Sequence, residues 1–309
     1  MPPDRETRWA LVTGGTDGIG KSIARRLAAR GLGVIIVGSN FEKGEAAERA
    51  LRRDSGNDNV RFLQADLSLM RNVDALAAQV WALLPRLNYL VHSAGIVRGR
   101  RVLTEEGIES NFAVSYLSRF ALTRLLLPCL SSPNGTVGAA RILVIGGAKR
   151  DGVIHYDDIN LAWKFSTLAA VAQFCEANDL FVVEQSRRLA AADIGPCITI
   201  TTLKVGVVRT NIRKQFPMWM KIAVKLLLDP FLAVSADVIA ASAEGLLLGP
   251  EFEGKSGAMF TQIKRMKATP PGRRTHDPRQ GRRLWEFSER LVADALAGRT
   301  KEREAAWPQ

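Results

Sequence analysis

The stretch of the sequence best suited to chemistry is a glycine-rich turn near the N-terminus. It reads Thr13-Gly14-Gly15-Thr16-Asp17-Gly18-Ile19-Gly20 and lies between a short apolar run and an amphipathic segment. Glycines let a backbone turn tightly and approach a ligand closely, while the free N–H groups at the start of a helix attract an anion. A strand, such a turn and a helix in succession are typical of a pyrophosphate site in a dinucleotide-binding fold. The predicted cofactor contacts in the turn are Gly14, Thr16, Asp17, Gly18, Ile19 and Gly20.

A second stretch predicts which dinucleotide binds. Roughly twenty residues beyond the turn, where such a fold reads the adenosine ribose, the next apolar run ends in Gly38-Ser39-Asn40. An acidic residue here would bind a free ribose 2′-hydroxyl and repel a 2′-phosphate. Ser39 and Asn40 carry no charge, and Lys43 follows one helical turn later. The pattern therefore favours NADP(H) over NAD(H).

The elements that must position these residues follow from the alternation of apolar runs and helix-length amphipathic segments. Strands are predicted over Trp9–Thr13, Gly33–Val37, Val60–Gln64, Tyr89–His92, Arg141–Ile145, Ile198–Leu203 and Gly257–Phe260. Helices are predicted over Gly18–Arg30, Phe41–Arg53, Met70–Leu84, Glu105–Leu130 and Leu168–Ala192. This alternation predicts one α/β domain over residues 1–309, a Rossmann-like, doubly wound parallel sheet of seven strands with helices on both faces.

Composition limits the class of protein. The 309 residues are 47% hydrophobic and 24% charged, which argues against disorder and against a polytopic membrane protein. The net charge of +12 favours anionic partners such as phosphate-bearing cofactors. Three widely spaced cysteines form neither a disulfide framework nor a zinc pattern, so no metal site is expected. No secretion signal is visible either, and a cytoplasmic location is predicted.

Residues Phe216–Gly249, within an insertion over about 212–249, are strongly apolar. Asp229-Pro230 interrupts them, so two helices meeting at a turn are expected rather than stable membrane insertion. Core packing, a lid over the substrate and contact with a membrane surface all remain open for this segment. If it is a lid, Met218 and Trp219 are candidates to line the pocket of a bulky hydrophobic substrate.

The segment Lys264–Arg283 is strongly basic, with eight basic residues against one acidic residue. It begins a C-terminal extension over about 264–309, and Pro270-Pro271-Gly272 favours a loop. We expect a solvated tail. No aromatic residues are interleaved with the charges to stack on bases, so no nucleic-acid partner is predicted.

Further motifs follow in the order found in short-chain dehydrogenases/reductases, and from about Arg8 to Leu296 the chain most resembles the retinol-dehydrogenase-like branch. The glycine-rich turn is similar to the cofactor signature of that family. The resemblance implies that Asp66 and Leu67 contact the adenine and that Thr210 meets the nicotinamide amide. After the fourth strand, His92-Ser93-Ala94-Gly95 resembles another cofactor-side motif, in which His92 would be structural. A nicotinamide cofactor, a small-molecule substrate and a possible homo-oligomer are also implied.

The family's proton-transfer residues are a tyrosine, a lysine four residues later, a serine and an asparagine, and this sequence lacks the first pair. Its tyrosines are Tyr89, Tyr116 and Tyr156, and none is followed four residues later by lysine. The resemblance places other residues at the asparagine, serine, tyrosine and lysine positions. These are Ser115, Gly147, Val171 and Cys175, respectively.

Three interpretations remain open. The first is an atypical ketoreductase in which the proton comes from the substrate or from water. This is chemically reasonable for a conjugated ketone on an aromatic polyketide, and the chain resembles the ketoreductase of simocyclinone-type angucyclinone pathways in antibiotic biosynthesis. The second is a cyclase or isomerase that keeps bound NADP as a scaffold. The third is an NADP-binding pseudoenzyme that acts as a partner or sensor subunit.

If the protein supplies the proton, Ser115, Lys149, His155 and Tyr156 are the candidates. A histidine can donate a proton near neutral pH, although a surface position is the alternative for His155 and for its neighbours Lys149 and Tyr156. Ser115 could bind a carbonyl or a water, and it could equally satisfy a buried backbone group.

Overall fold

The protein is seen in a computed structural model that describes residues 7–130, 140–147, 151–192, 197–206, 234–262, 265–270, 272, 274–275 and 277–300. Strands in this part of the chain form one sheet, in the order β3-β2-β1-β4-β5-β6-β7-β8. They are β1 (Trp9–Thr13), β2 (Gly33–Gly38), β3 (Val60–Gln64), β4 (Tyr89–His92), β5 (Ala140–Gly147), β6 (Ile198–Val205), β7 (Met259–Gln262) and β8 (Met266–Ala268). Pairing is parallel from β1 to β7, so the carboxyl ends of these strands share one edge.

Helices cover both faces of the sheet, as the predicted doubly wound fold requires. They are α1 (Gly18–Ala29), α2 (Phe41–Ser55), α3 (Met70–Leu83), α4 (Ser110–Leu130), α5 (Thr167–Ala191), α6 (Ala236–Leu248) and α7 (Pro278–Leu296). One apolar core contains side chains of α1, α2 and α6, and the other contains side chains of α3, α4, α5 and α7. Strand order reverses direction between β1 and β4, which is the point where such sheets bind their ligands.

Helix α4 crosses the centre of the second core and contains a π-helical turn over Ala113–Leu117. By length and composition it could cross a membrane, alone among the helices in the described part of the chain. However, 78% of the qualifying window is buried inside the protein. Tight packing against α3 and α5 is sufficient to explain its apolar composition.

The structure corrects the prediction of a solvated tail. Met266–Ala268 forms β8, an antiparallel edge strand that makes the sheet eight-stranded rather than seven-stranded. Beyond it, α7 buries Leu284, Trp285 and Leu291 on its inner face. The basic residues cluster just before this apolar stripe begins, so a count of charges over the segment concealed an amphipathic helix. Only its outer face is solvated.

Part of the predicted apolar insertion is described. Residues 236–248 form α6, which begins at the cap residue Ser235 and packs against α1. Residues 207–233 lie outside the described part of the chain. They include the predicted first helix, Met218, Trp219 and the predicted nicotinamide contact Thr210.

Candidate functional site

The glycine-rich turn lies at the switch point between β1 and β4. Gly14 and Gly18 adopt positive φ angles of 66° and 52°, a conformation that residues with a Cβ atom rarely adopt. A Cβ atom on Gly14 would lie 2.9 Å from the backbone of Ala94, and one on Gly20 would lie 2.3 Å from the Gly14 carbonyl oxygen. Because neither position has room for a side chain, the backbone of the turn packs directly against the start of α1 and the loop after β4.

A single hydroxyl ties this turn to the loop that follows β4. Thr13 Oγ1 accepts hydrogen bonds from the backbone N–H groups of Ser93 at 3.1 Å and Ala94 at 3.2 Å. The predicted contacts in the turn and in Ser93-Ala94-Gly95 are therefore held together. His92 is buried against Thr123, with its Nε2 2.8 Å from the threonine Oγ1. Burial holds the pKa of His92 well below its usual range, so this histidine is neutral and has a structural environment.

Helix α1 points its N-terminus at the same place. Asp17 caps it, and its Oδ1 accepts a hydrogen bond of 2.8 Å from the N–H of Gly18. The remaining N–H groups of the first turn and the helix dipole form a positive region suited to a pyrophosphate. Together with the close-packed glycines of the turn, this arrangement fits a dinucleotide.

The residues predicted to read the adenosine ribose also come together. A Cβ atom on Gly38 would lie 2.7 Å from the side chain of Thr16, which places the end of β2 against the glycine-rich turn. Asn40 is occupied as the cap of α2, since its Oδ1 accepts from the Lys43 N–H at 2.7 Å. Lys43 Nζ lies 2.7 Å from Asp17 Oδ2 in an exposed ion pair, an arrangement that a bound phosphate could replace at small cost. Ser39 is exposed beside them.

Asp66 and Leu67 follow β3, at the same edge of the sheet. Asp66 Oδ1 accepts a hydrogen bond of 2.9 Å from the Ser68 N–H, while Leu67 is buried. The carboxylate thus shapes the loop, and Leu67 provides an apolar surface beside the end of the strand. Both residues stand at the end of the sheet where an adenine would lie.

The four positions where the resemblance expects proton-transfer groups hold no free acid or base. Ser115 Oγ donates to the Ile96 carbonyl oxygen and accepts from the Ile96 N–H, both at 3.1 Å, so it satisfies buried backbone groups. A Cβ atom on Gly147 would lie 2.7 Å from Cys175 Sγ. Burial raises the pKa of Cys175 to about 11, which keeps the thiol neutral. Val171 is one helical turn before Cys175 on the same face of α5.

Arg119, which the sequence analysis missed, is buried beneath these positions. Its guanidinium donates to the carbonyl oxygens of Ala94 at 2.7 Å and Ile145 at 2.9 Å, and to Asn178 Oδ1 at 3.1 Å. Burial lowers its pKa to about 10, so it remains a cation at neutral pH. None of its partners in the described part of the chain is a carboxylate. Arg119 is one of two arginines in the largely apolar α4, and the other, Arg124, is exposed and pairs with Glu289, so the sequence alone did not single out Arg119.

A buried ion pair lies next to Arg119. Lys204, near the end of β6, pairs with Asp179 of α5, and their side chains are 1% and 4% exposed. Asn178, the chain neighbour of Asp179, accepts from Arg119 through Oδ1 at 3.1 Å and donates from Nδ2 to the Ser115 carbonyl oxygen at 2.9 Å. The carboxyl ends of β4, β5 and β6 are therefore joined to α4 and α5 by buried polar side chains.

His155 and Tyr156 lie elsewhere. They line a cavity together with Glu176 and Leu180, which occupy a different face of α5 from Val171 and Cys175. His155 is exposed, and burial raises the pKa of Tyr156 to about 12, which makes it a poor acid. These two proton-donor candidates thus lie against a different face of α5 from Cys175, which occupies the lysine position. Lys149 lies outside the described residues.

Known proteins resemble this chain over most of its length. A family model described as short chain dehydrogenase matches residues 8–149. Retinol dehydrogenase 13 of Mus musculus is 33% identical over 310 residues, covering 98% of this chain and 89% of the relative. Polyprenol dehydrogenase of Homo sapiens is 32% identical over 287 residues, covering 93% and 85%.

Solved structures share the fold. An uncharacterized protein from Mycobacterium paratuberculosis superposes with a TM-score of 0.71 at 25% identity, covering 94% of this chain and 96% of the other. The RhlG/NADP active-site complex of Pseudomonas aeruginosa gives a TM-score of 0.63 at 23% identity, with coverage of 82% and 94%.

Proposed function

The chain belongs to the short-chain dehydrogenase family, and from this premise we propose that it is an atypical NADPH-dependent ketoreductase. By class it is an NAD(P)H-dependent oxidoreductase. The proposed reaction reduces a carbonyl on a bulky, aromatic or polyketide-like substrate without a tyrosine–lysine pair. The proton then comes from the substrate or from water.

The residues around the glycine-rich turn fit the cofactor that the family implies. The turn would hold the pyrophosphate, Ser39 and Lys43 the 2′-phosphate, and Asp66 and Leu67 the adenine. When bound, NADPH supplies the hydride for the reduction. NADPH is preferred over NADH in this proposal because Ser39 and Asn40, which follow β2, carry no carboxylate, and Lys43, which is paired with Asp17, lies one helical turn later.

One observation carries the proposed mechanism: a buried cation, Arg119, lies below a site whose proton-transfer positions are Val171 and Cys175. Negative charge develops on a carbonyl oxygen as hydride is added, and a fixed positive charge in a low-dielectric region stabilises it. Arg119 is tied to the carbonyls of Ala94 and Ile145, at the ends of β4 and β5, and therefore cannot move away. A conjugated or internally hydrogen-bonded ketone would further reduce the need for a protein acid.

The substrate class rests on the same chemistry and on the relatives. An aromatic polyketide ketone, as in antibiotic biosynthesis, spreads the developing charge over its rings. The relatives named for retinol and polyprenol are consistent with a bulky, hydrophobic substrate in this chain. We also propose a cytoplasmic location, since Cys129, Cys175 and Cys197 are free thiols.

The test begins with titration of the purified protein with NADPH and with NADH, followed by absorbance at 340 nm. Quinones, polycyclic aromatic ketones and retinaldehyde form the substrate panel. We expect tighter binding of NADPH and oxidation that depends on an aromatic ketone. Binding of NADPH without oxidation by any member of the panel would contradict the proposed reductase and favour the cyclase or the NADP-binding partner.

A further inference from the structure

The cavity lined by His155 and Tyr156 lies against a different face of α5 from Val171 and Cys175. The loop after β5, the middle of α5 and the start of α7 enclose about 410 Å³, a volume in the range of about 300–1,000 Å³ that is usual for small-molecule sites. Its lining includes Tyr156, Trp163, Glu176, Leu180, Arg274 and Arg283. The predicted cofactor contacts are not among its lining residues, and the proposed function does not use it.

Two polar atoms in this cavity are buried without a hydrogen-bond partner in the described part of the chain. They are Glu176 Oε1 and the Tyr156 hydroxyl. Glu176 is 1% exposed, and only its other oxygen is occupied, accepting from the Gly152 N–H at 3.0 Å. Buried polar groups are mostly hydrogen-bonded in folded proteins, and these two belong to residues that line the same cavity, where a ligand could supply the missing bonds.

The opening of the cavity carries two guanidinium groups. Arg283 lies over the Tyr156 ring, 4.1 Å from its centroid, and Arg274 donates to the Gly152 carbonyl oxygen. Both are exposed, and neither forms an ion pair within the described residues. Asp158 does not neutralise them, because its two oxygens accept from the N–H groups of Ala162 and Trp163. An anion can therefore reach both arginines.

The ligand's charge and shape follow from the other side chains. Glu176 and Asp157 in the same cavity disfavour a dianion, whereas a planar carboxylate matches the arginine fork with a single charge. The indole of Trp163, 72% exposed, and the side chain of Leu180 provide an apolar wall. A ring placed against this wall could direct a hydroxyl toward Glu176 and Tyr156.

We propose that this cavity is a binding site for a small hydroxylated aromatic carboxylate. Its carboxylate pairs with Arg274 and Arg283, its ring packs against Trp163 and Leu180, and its hydroxyl bonds to Glu176 Oε1 and the Tyr156 hydroxyl. Because the ligand bridges the loop and α7, binding stabilises both against unfolding.

Isothermal titration calorimetry with 4-hydroxybenzoate tests the proposal, with benzoate and inorganic phosphate as comparison probes. We expect 4-hydroxybenzoate to bind at least about tenfold more tightly than either probe, a difference typical of a hydroxyl that completes buried hydrogen bonds. Absence of binding, or equal binding of inorganic phosphate, would overturn the proposed ligand class.

Variants of residues in and beside the cavity test whether the ligand binds there. Arg283→Gln should weaken 4-hydroxybenzoate binding at least about tenfold, whereas Arg282→Gln, its exposed neighbour on α7, should leave it unchanged. If both variants weaken 4-hydroxybenzoate binding equally, binding depends on the net charge of α7 rather than on this cavity, and the proposed site is wrong. Tyr156→Phe should remove the advantage over benzoate without altering the fold. NADPH affinity should stay unchanged throughout, which distinguishes this proposal from the proposed reductase activity.

Discussion

The edge of the sheet formed by the carboxyl ends of the strands has two halves, and they are built in different ways. At the ends of β1 to β3, the site is made mainly of backbone: a glycine-rich turn, a helix N-terminus and short polar loops. At the ends of β4 to β6, it is made of buried side chains, with Arg119 and the Lys204–Asp179 pair holding the strands to α4 and α5. The first half retains the features needed to hold a cofactor, whereas the second has a buried cation, Arg119, beneath the positions where the resemblance expects a proton donor.

The largest effect should come from adding a side chain to the glycine-rich turn, in the half of the edge that is built from backbone. In Gly20→Val, the added Cβ would lie only 2.3 Å from the Gly14 carbonyl oxygen, and the rest of the side chain would need still more space. We expect NADPH affinity to fall roughly 1,000-fold, or about 4 kcal/mol, in a fluorescence titration. Gly245→Ala is the control, because nothing lies within 4 Å of its added Cβ, and it should bind NADPH normally. Unchanged NADPH binding by folded Gly20→Val would contradict the placement of the cofactor at this turn.

This contrast also explains how much of the molecule could be predicted. The bounds of β1 and β3 match the sequence prediction, because each strand is a local run of strand-forming residues ended by a turn residue. The glycine-rich turn and the end of β2 came together as predicted, since both follow from the strand–turn–helix order. In this half, local sequence is sufficient.

The second half could not be predicted in the same way. The environment of Arg119 depends on Ala94, Ile145 and Asn178, which lie up to 59 residues away in sequence. The position of Tyr156 depends on its contacts with Phe287 and Arg283 of α7, which begins at residue 278 and which the charge count had assigned to a tail. Side chains brought together by tertiary packing leave no periodic signal in the sequence.

The next largest effect should come from removing the buried cation. Arg119→Met should lower kcat for an aromatic ketone by roughly 100- to 1,000-fold, the range seen when one group that stabilises an oxyanion is lost. NADPH affinity should change little, because the backbone half is untouched. Arg119→Lys should restore part of kcat. If Arg119→Met remains folded and retains full kcat, the charge of Arg119 has no part in the reaction.

A smaller change should reverse the cofactor preference. Lys43→Glu replaces the proposed phosphate contact with a carboxylate, so NADPH affinity should fall roughly 10- to 100-fold, as expected for loss of a charge-assisted hydrogen bond. NADH carries no 2′-phosphate, and its affinity should change by less than about threefold. Parallel titrations of the two cofactors measure this difference. An equal loss for both would assign Lys43 to the structure of the turn, through its ion pair with Asp17, rather than to recognition.

The smallest effect concerns the thiol that occupies the lysine position. Burial raises the pKa of Cys175 from 9.0 to about 11, so the unfolded chain loses this proton at a lower pH than the folded protein does. Stability from this group is therefore complete below pH 9 and declines as the pH rises from 9 to 11. At pH 10 the loss should be about 1.4 kcal/mol relative to pH 8, on the scale of one pKa unit. Urea unfolding of the wild type and of Cys175→Ala at both pH values isolates this contribution from those of other groups. If both proteins lose the same stability, Cys175 ionises in the folded protein as readily as in the unfolded chain. The part of the site at the ends of β4 to β6 would then contain a reactive thiolate rather than an apolar wall.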